Sequence, residues 1–315
     1  MWGRRACGMS LAVAAVCGAL ARPTAGQQPV FRAETSLVTV GVTIRDRSGA
    51  LITDLEPADF TVLEDGREQA VTHFARGDQS EQPIETHVGL LLDTSGSMGD
   101  DIALARSAAI RFLNTLRDAT DMTLVDFDTE VRVARYGQQD FPRMVERIRS
   151  RKPGGFTAMY DALGVYLDGA AGMDGRNLLV LFTDGGDTRS SIRFSDVMTL
   201  LRASDVTVFA VGFLEHQPGS MRAEQRVRLT QMAAETGGEA FFPASMKEIE
   251  LAYDRVLDGI RAQYSLGFVS SNAARDGRWR KIEVKVARTG AAGAGPSRSL
   301  RVQARKGYFA PFVRE

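Results

Sequence analysis

The stretch that decides the fold is Val88-Gly89-Leu90-Leu91-Leu92-Asp93-Thr94-Ser95-Gly96-Ser97. Its first half is a continuous apolar run, which is typical of a strand buried in a parallel sheet. Its second half places one carboxylate and two hydroxyls at alternate positions, at Asp93, Ser95 and Ser97. Oxygen donors of this kind suit Mg²⁺, Mn²⁺ or Ca²⁺ better than the softer metals that prefer sulfur or imidazole. The stretch therefore predicts a cluster of hard oxygen ligands where a buried strand ends.

Apolar runs alternate with amphipathic segments over roughly residues 83–262. The apolar runs predict strands at residues 88–92, 122–127, 178–182 and 206–211. Apolar residues at helical spacing predict helices at residues 102–116, 158–171, 221–236 and 246–262. Strands that alternate with helices are typical of an α/β fold with an open, doubly wound, mostly parallel sheet.

The segments on either side of this region are rich in β signals. The predicted N-terminal strands are residues 37–44, 60–63 and 70–74, the last two joined by a turn at Asp65-Gly66. The predicted C-terminal strands are residues 264–268, 281–286 and 300–304, with an exposed connection over 289–296.

Neither β segment is large enough to bury a core alone. We therefore expect residues 27–82 and 263–315 to pair as one small β-sandwich, with residues 83–262 inserted between them as the central domain. Insertion is tolerated where the two chain ends of a domain lie close together.

Residues 1–26 have the pattern of an export signal, with Arg4 and Arg5 before an apolar, small-residue stretch. A structural helix, an uncleaved membrane anchor and a lipoprotein site at Cys17 are the alternatives. The stretch is short for a membrane span. Both cysteines of the chain, Cys7 and Cys17, lie in this segment, so the mature protein would contain none and would depend on a packed core for stability. The expected location is the periplasm or the outside of the cell.

The balance of positive and negative residues argues against nucleic acid and anionic membranes as partners. Lys and Arg together number 39, as do Asp and Glu, so no global field would attract nucleic acid or an anionic membrane. The three histidines have no paired metal-binding spacing, and no GxSxG nucleophile motif occurs. These patterns disfavour thiol, zinc–thiolate and serine–histidine catalysis.

Two further segments supply oxygen ligands in the same order as a known motif. Residues 154–158 contain Thr157, and residues 182–186 place Asp184 after another apolar run. Ligands in open α/β sheets bind beyond the carboxyl ends of the strands, where the strand order reverses. We therefore expect Asp93 and Asp184 to emerge at the same edge of the sheet.

The complete set resembles the von Willebrand factor type A domain, whose metal-ion-dependent adhesion site uses DxSxS, a distant Thr and a distant Asp. The resemblance implies a Rossmann-like fold and a divalent metal, Mg²⁺ or else Mn²⁺ or Ca²⁺. The implied metal site consists of Asp93, Ser95, Ser97, Thr157 and Asp184. The two serines and the threonine would bind directly, and the two aspartates directly or through water. Residues 59–66 and 306–309 are similar to segments of a bacterial family of secreted proteins that carry such a domain.

This resemblance implies a protein-binding function. Mg²⁺ keeps some of its water ligands, and an incoming anion can exchange with one of them. The expected partner is a protein that presents an Asp or Glu carboxylate. A structural scaffold in an envelope complex and a metal-assisted hydrolase are the alternatives. A purely structural interpretation of the motif, without a metal, is that the serines cap a helix and the aspartates end strands.

Other acidic residues near these loops are weaker candidates. Asp187 could bind a coordinated water, and Asp161 with Tyr160 could orient the Thr157 loop. Asp126 and Asp128 could lie just outside the metal ligands. The tripeptide Arg76-Gly77-Asp78 matches a known adhesion ligand, but short motifs recur by chance.

Overall fold

The computed structural model describes residues 37–77, 85–115, 119–173, 175–287 and 300–312. The predicted export signal with its two cysteines, the predicted connection over 289–296 and Asp78 of the adhesion tripeptide lie outside these residues. In the part of the chain that is described, no helix is both long enough and apolar enough to cross a membrane.

The described residues form fourteen strands and six α-helices. The strands are β1 (Leu37–Arg45), β2 (Phe60–Glu64), β3 (Arg67–Gln69), β4 (Val71–Arg76), β5 (Thr86–Asp93), β6 (Asp121–Phe127), β7 (Val131–Gly137), β8 (Arg176–Thr183), β9 (Thr207–Gly212), β10 (Ala240–Phe241), β11 (Tyr264–Val269), β12 (Trp279–Val286), β13 (Arg301–Ala304) and β14 (Gly307–Phe309). The helices are α1 (Ile102–Thr115), α2 (Phe141–Ser150), α3 (Met159–Ala170), α4 (Phe194–Ala203), α5 (Gly219–Glu235) and α6 (Met246–Arg261).

Six of the described strands form the central sheet, in the order β10-β9-β8-β5-β6-β7. All neighbouring pairs are parallel except β6 and β7, which are antiparallel. Strands β6 and β7 lie on one side of β5, and the later strands β8, β9 and β10 lie on the other side. The strand order therefore reverses between β5 and β8, which are hydrogen-bonded neighbours. The predicted mostly parallel, doubly wound sheet is confirmed, with β7 as an antiparallel edge strand that the sequence analysis did not predict.

Alternate residues of the central strands face opposite helical layers, which is why continuous apolar runs form these strands. Leu90 and Leu92 pack on one side, in a core shared with α1, α2 and α6. Leu91 and Leu181 pack on the other side, in a core shared with α3, α4 and α5. Both faces of the sheet are therefore buried under helices, and the polar loops lie at the ends of the strands.

The remaining described strands form two antiparallel sheets of four strands each, ordered β13-β1-β11-β4 and β14-β12-β2-β3. Each sheet contains strands from both ends of the chain. Val42, Val62, Tyr264, Phe268 and Ile282 share one core between the two sheets. The predicted β-sandwich of N- and C-terminal segments is confirmed as architecture. The domain limits at residues 27–82, 83–262 and 263–315 stay predictions.

The predicted hairpin is wrong in its second arm. Asp65 and Gly66 form the expected turn with positive φ angles of 47° and 82°. A two-residue turn of this kind pairs the residues directly on either side of it. The returning strand is therefore β3, which pairs with β2. Residues 71–74 of the predicted arm 70–74 instead belong to β4, which lies in the other sheet and pairs with β11.

Candidate metal centre

Three loops at the carboxyl edge of the central sheet carry the five predicted site residues. Asp93 ends β5 and Asp184 directly follows β8, so the two aspartates lie on neighbouring strands at the reversal of strand order. Thr157 comes from the segment that precedes α3. Asp93, Ser95, Thr157 and Asp184 are buried, whereas Ser97 is exposed. The structure thus brings the five residues to one edge, and their role as metal ligands stays a prediction.

The loop after β5 turns two hydroxyls toward each other. The Ser95 and Ser97 Oγ atoms lie 3.1 Å apart. Thr94, between Asp93 and Ser95, faces away, because its Oγ1 donates to the Phe127 carbonyl at 3.0 Å. Ser95 precedes a single turn of 3₁₀ helix over Gly96–Gly99, yet its side chain makes no capping hydrogen bond there. The geometry therefore does not support the interpretation of Ser95 as a helix cap.

The loop that carries Thr157 is joined to the first loop by backbone hydrogen bonds. Gly96 N donates to Gly155 O at 3.1 Å, and Gly154 N donates to Thr94 O at 3.0 Å. A Cβ at Gly96 would lie 3.2 Å from Gly155 O, so a side chain at this position would crowd the approach. The absence of a side chain at Gly96 therefore allows the two loops to approach each other closely.

Thr157 is also joined to the loop after β8. Its N–H donates to Thr188 Oγ1 at 3.0 Å. Its carbonyl accepts from Thr188 N at 2.9 Å and from Arg189 N at 3.0 Å. These three hydrogen bonds fix the backbone of Thr157 beside the segment that begins with Asp184.

The carboxylate of Asp184 has two donors. Gly186 N donates to its Oδ1 at 3.1 Å, and Gln217 Nε2 donates to its Oδ2 at 3.0 Å. Gln217 lies on the loop after β9 and was not predicted. It follows the end of a parallel strand at the same edge, and that position is the sequence signal that could have identified it.

Burial and the neighbouring carboxylate of Asp184 raise the pKa of Asp93 to about 7. Hydrogen bonds from Ser95 N (2.9 Å) and Thr183 Oγ1 (2.6 Å) oppose this shift. Among the described residues, no Lys, Arg or His forms an ion pair with Asp93 or Asp184. Two buried carboxylates without a cation repel each other, and a divalent ion would remove that penalty.

The candidate centre has only two carboxylates, and its other three donors are hydroxyls. The described residues contain no group of three or more His, Cys, Asp and Glu side chains suited to a metal ion. The donor set is made entirely of oxygen, which fits a hard cation such as Mg²⁺, Mn²⁺ or Ca²⁺.

The weaker candidates organise the loops around the centre. Asp187 accepts from Tyr160 N at 2.9 Å and from Ser190 Oγ at 2.6 Å, so its carboxylate links the start of α3 to the loop after β8. Asp161 accepts from Ser191 N at 2.9 Å, so its carboxylate also contacts the loop after β8, and its role in orienting the Thr157 loop stays a prediction.

Two other acidic candidates are bound to arginines. Asp126 pairs with Arg147 at 2.6 Å and with Arg151 at 2.7 Å, and Asp128 pairs with Arg132 at 2.5 Å. These ion pairs attach α2 and β7 to the end of β6. The contacts assign both aspartates to holding the fold together.

Solved structures with low sequence identity resemble the chain. Proximal thread matrix protein 1 from the mussel byssus is 18% identical with a TM-score of 0.44; the match covers 57% of this chain and 49% of that chain. The chain therefore spans about half the length of the mussel protein, of which another structure has a zinc-occupied MIDAS motif.

Two bacterial structures are similar at the same level. The vWF domain of the type V pili tip protein Mfa5 from Porphyromonas gingivalis is 11% identical, with a TM-score of 0.46 over 57% of this chain and 97% of that chain. A von Willebrand factor type A protein from Catenulispora acidiphila is 13% identical, with a TM-score of 0.46 over 90% of this chain and 76% of that chain. At these identities and TM-scores, the likenesses assign neither a ligand nor a partner to this chain.

Sequence comparison gives the family directly. No curated protein matches the chain. The family model of the von Willebrand factor type A domain matches residues 87–255, which are more than half of the 315 residues and include all five predicted site residues. Domains of this family generally bind proteins. The chain therefore belongs to the von Willebrand factor type A domain family.

Proposed function

We propose that this chain is an exported protein-binding module that holds a divalent cation and captures an Asp or Glu carboxylate of a partner protein through it. The observation that carries the proposal is the pair of buried carboxylates, Asp93 and Asp184, beside three hydroxyl-bearing residues and without an ion-pair partner among the described residues. Asp93, Ser95, Ser97, Thr157 and Asp184 would hold the ion.

The bound cation would supply positive charge and a coordination position that an outside anion can enter. The chain's own residues prepare that position. The hydroxyls of Ser95, Ser97 and Thr157 carry no charge, so they would leave the ion attractive to a carboxylate. Gln217 and Gly186 orient the Asp184 carboxylate, and Thr183 orients that of Asp93. Mg²⁺ is the proposed ion, with Mn²⁺ and Ca²⁺ as substitutes.

Export is part of the proposal and is supported by the pattern of residues 1–26. The expected location is the periplasm or the extracellular space. Mass spectrometry of the protein from a fractionated cell would give its first residue and its compartment. An intact first segment on a cytoplasmic protein would overturn this part of the proposal.

The proposal assigns binding to the site and no reaction. Within the described residues, the hydroxyls of Ser95 and Ser97 hydrogen-bond each other and neither hydrogen-bonds a histidine. Metal-dependent turnover of a phosphoester or a peptide would favour the hydrolase alternative. Binding that is unchanged by a chelator would favour the scaffold alternative.

The test is capture of partners from an envelope extract in MgCl₂ and in EDTA. We expect the wild-type protein to retain a partner only in MgCl₂, and the double variant Asp93→Ala with Ser95→Ala to retain none while keeping its circular dichroism spectrum. The control is Ser107→Ala on the exposed side of α1, whose hydroxyl donates to Ala103 O within the same helix. Equal capture by the double variant and the wild type would contradict the proposal.

A further inference from the structure

An exposed aromatic side chain lies beside the candidate metal centre. Phe156 is 63% exposed, although it directly precedes the buried Thr157. A single exposed apolar residue is common on protein surfaces. The position of this one, next to a predicted metal ligand on a rim where a partner would dock, distinguishes it from the rest.

The backbone on both sides of Phe156 holds the ring outward. Phe156 N donates to Thr129 Oγ1 at 2.9 Å. The preceding Gly155 has a φ of 74°, a conformation that favours glycine, and its carbonyl accepts from Gly96 N at 3.1 Å. The following Thr157 is fixed by Thr188. Turning the ring into the core would break these contacts and displace Thr157, so the fold that places the predicted ligand also exposes the aromatic ring.

Two exposed basic residues that form no ion pair with the described residues belong to this loop or to the segment hydrogen-bonded to it. Lys152 is exposed four residues before Phe156, and Arg189 is exposed on the backbone that donates to the Thr157 carbonyl. In the described part of the chain, neither forms an ion pair. The nearby acids Asp126 and Asp128 are bound to arginines, as described above. The described part of the rim therefore offers the exposed Phe156 ring together with the side chains of Lys152 and Arg189, neither of which is neutralised by an ion pair there.

We propose that the partner is recognised through a protein segment in which an apolar side chain next to the metal-binding Asp or Glu packs on Phe156, with further acidic residues facing Lys152 and Arg189. This inference rests on the proposed function. A metal ion alone accepts any accessible carboxylate, so selectivity needs neighbouring contacts. An aromatic ring that becomes buried at the centre of an interface supplies a large share of the binding energy.

The test is selection from a random dodecapeptide library displayed on phage, bound in MgCl₂ and eluted with EDTA. The proteins are the wild type, Phe156→Ala and the control Val165→Ala, which removes a side chain that is 46% exposed on α3. We expect the wild type and the control to enrich peptides that carry Asp or Glu beside an aromatic or aliphatic residue. We expect Phe156→Ala to keep the acidic enrichment and lose the apolar neighbour. A selected peptide should bind this variant about tenfold more weakly or worse.

The outcomes separate this inference from the proposed function. Acidic peptides without an enriched apolar neighbour, or the same neighbour on Phe156→Ala, would overturn the inference and leave metal-dependent capture standing. No enrichment of acidic peptides in MgCl₂ would overturn both. A wild-type dimer that dissociates in Phe156→Ala would assign the ring to self-association and overturn the inference. As a control, the Mn²⁺ affinity of Phe156→Ala should stay within about twofold of that of the wild type. This result would show that the substitution leaves Thr157 in place.

Discussion

The buried acid of the sandwich and the two buried aspartates of the predicted metal centre differ in their partners. In the sandwich, Glu64 is buried against Arg280 at 3.0 Å and also accepts from Ser270 Oγ at 2.8 Å and from Tyr308 Oη at 3.3 Å. In the central domain, Asp93 and Asp184 are buried together, with hydroxyl and amide donors but no ion pair among the described residues. In the sandwich, the guanidinium of Arg280 neutralises the carboxylate of Glu64. Among the described residues, no such partner pairs with Asp93 or Asp184, and this difference supports the proposal that a cation from outside neutralises them.

The largest expected effect is in the sandwich. Glu64→Gln removes the buried counter-charge 3.0 Å from Arg280 and leaves the more exposed Asp276 at 3.9 Å, so the free energy of unfolding should fall by about 3 kcal/mol. Urea denaturation measures this loss, which should be the same in MgCl₂ and in EDTA. The matched control is Glu283→Gln on β12, an exposed glutamate 3.6 Å from Lys285, which should cost less than about 0.5 kcal/mol. Equal effects of the two substitutions would remove the contrast between the regions.

The central domain should respond to metal instead. At a Mg²⁺ concentration about a hundredfold above the dissociation constant, the wild type should gain about 2.7 kcal/mol of unfolding free energy. Asp93→Asn should gain nothing. In EDTA this variant should be no less stable than the wild type, because the neutral amide removes the repulsion from Asp184. Urea denaturation in both buffers measures the four values. Equal stabilisation of both proteins by Mg²⁺ would place the ion elsewhere.

A smaller effect should come from the loop that carries Thr157. Gly155→Ala forces a side chain into a residue with a φ of 74°, and the new Cβ would lie 2.5 Å from Thr129 Oγ1. Strain of this kind costs about 1–3 kcal/mol, so we expect Mn²⁺ affinity to fall about tenfold in calorimetric titration. Gly154→Ala is the control, since its Cβ would meet no heavy atom within 4 Å. Similar affinities for the two variants would show that this loop does not hold the ion.

The smallest effect concerns the ion pair between the exposed His216 and the buried Asp101. His216 Nδ1 lies 3.2 Å from Asp101 Oδ1, and this hydrogen bond raises the pKa of His216 above its ordinary value of 6.5. The pair therefore contributes its stability at pH values below 6.5 and loses it as the pH rises through the raised pKa. An NMR titration should show the raised pKa in the wild type and a value near 6.5 in Asp101→Asn. An unchanged pKa in this variant would show that Asp101 is not its cause.

The sequence alone predicted those features that depend on a short run of neighbouring residues. The apolar run before Asp93 predicted a buried parallel strand, and the alternate spacing of Ser95 and Ser97 predicted that their hydroxyls lie together. Strand β7 begins with Val131-Arg132-Val133, an alternation that is typical of a half-exposed edge strand and that could have predicted it.

The remaining features depend on contacts between distant parts of the chain. The bonds between Thr157 and Thr188 and between Gln217 and Asp184 join residues more than 30 positions apart, so no local pattern indicates them. The exposure of Phe156 follows from its bond to Thr129 and is likewise not readable from composition or spacing. The second hairpin arm was mispredicted because residues 71–74 have strand character but pair in the other sheet.

The most direct measurement is a calorimetric titration of Mn²⁺ into the wild type and into the double variant Asp93→Ala with Ser95→Ala. We predict one saturable site in the wild type and none in the variant, with the circular dichroism spectrum unchanged. A wild type that takes up no ion at millimolar Mn²⁺, or a variant that binds Mn²⁺ as tightly as the wild type, would contradict the assignment of the sheet edge as a metal centre.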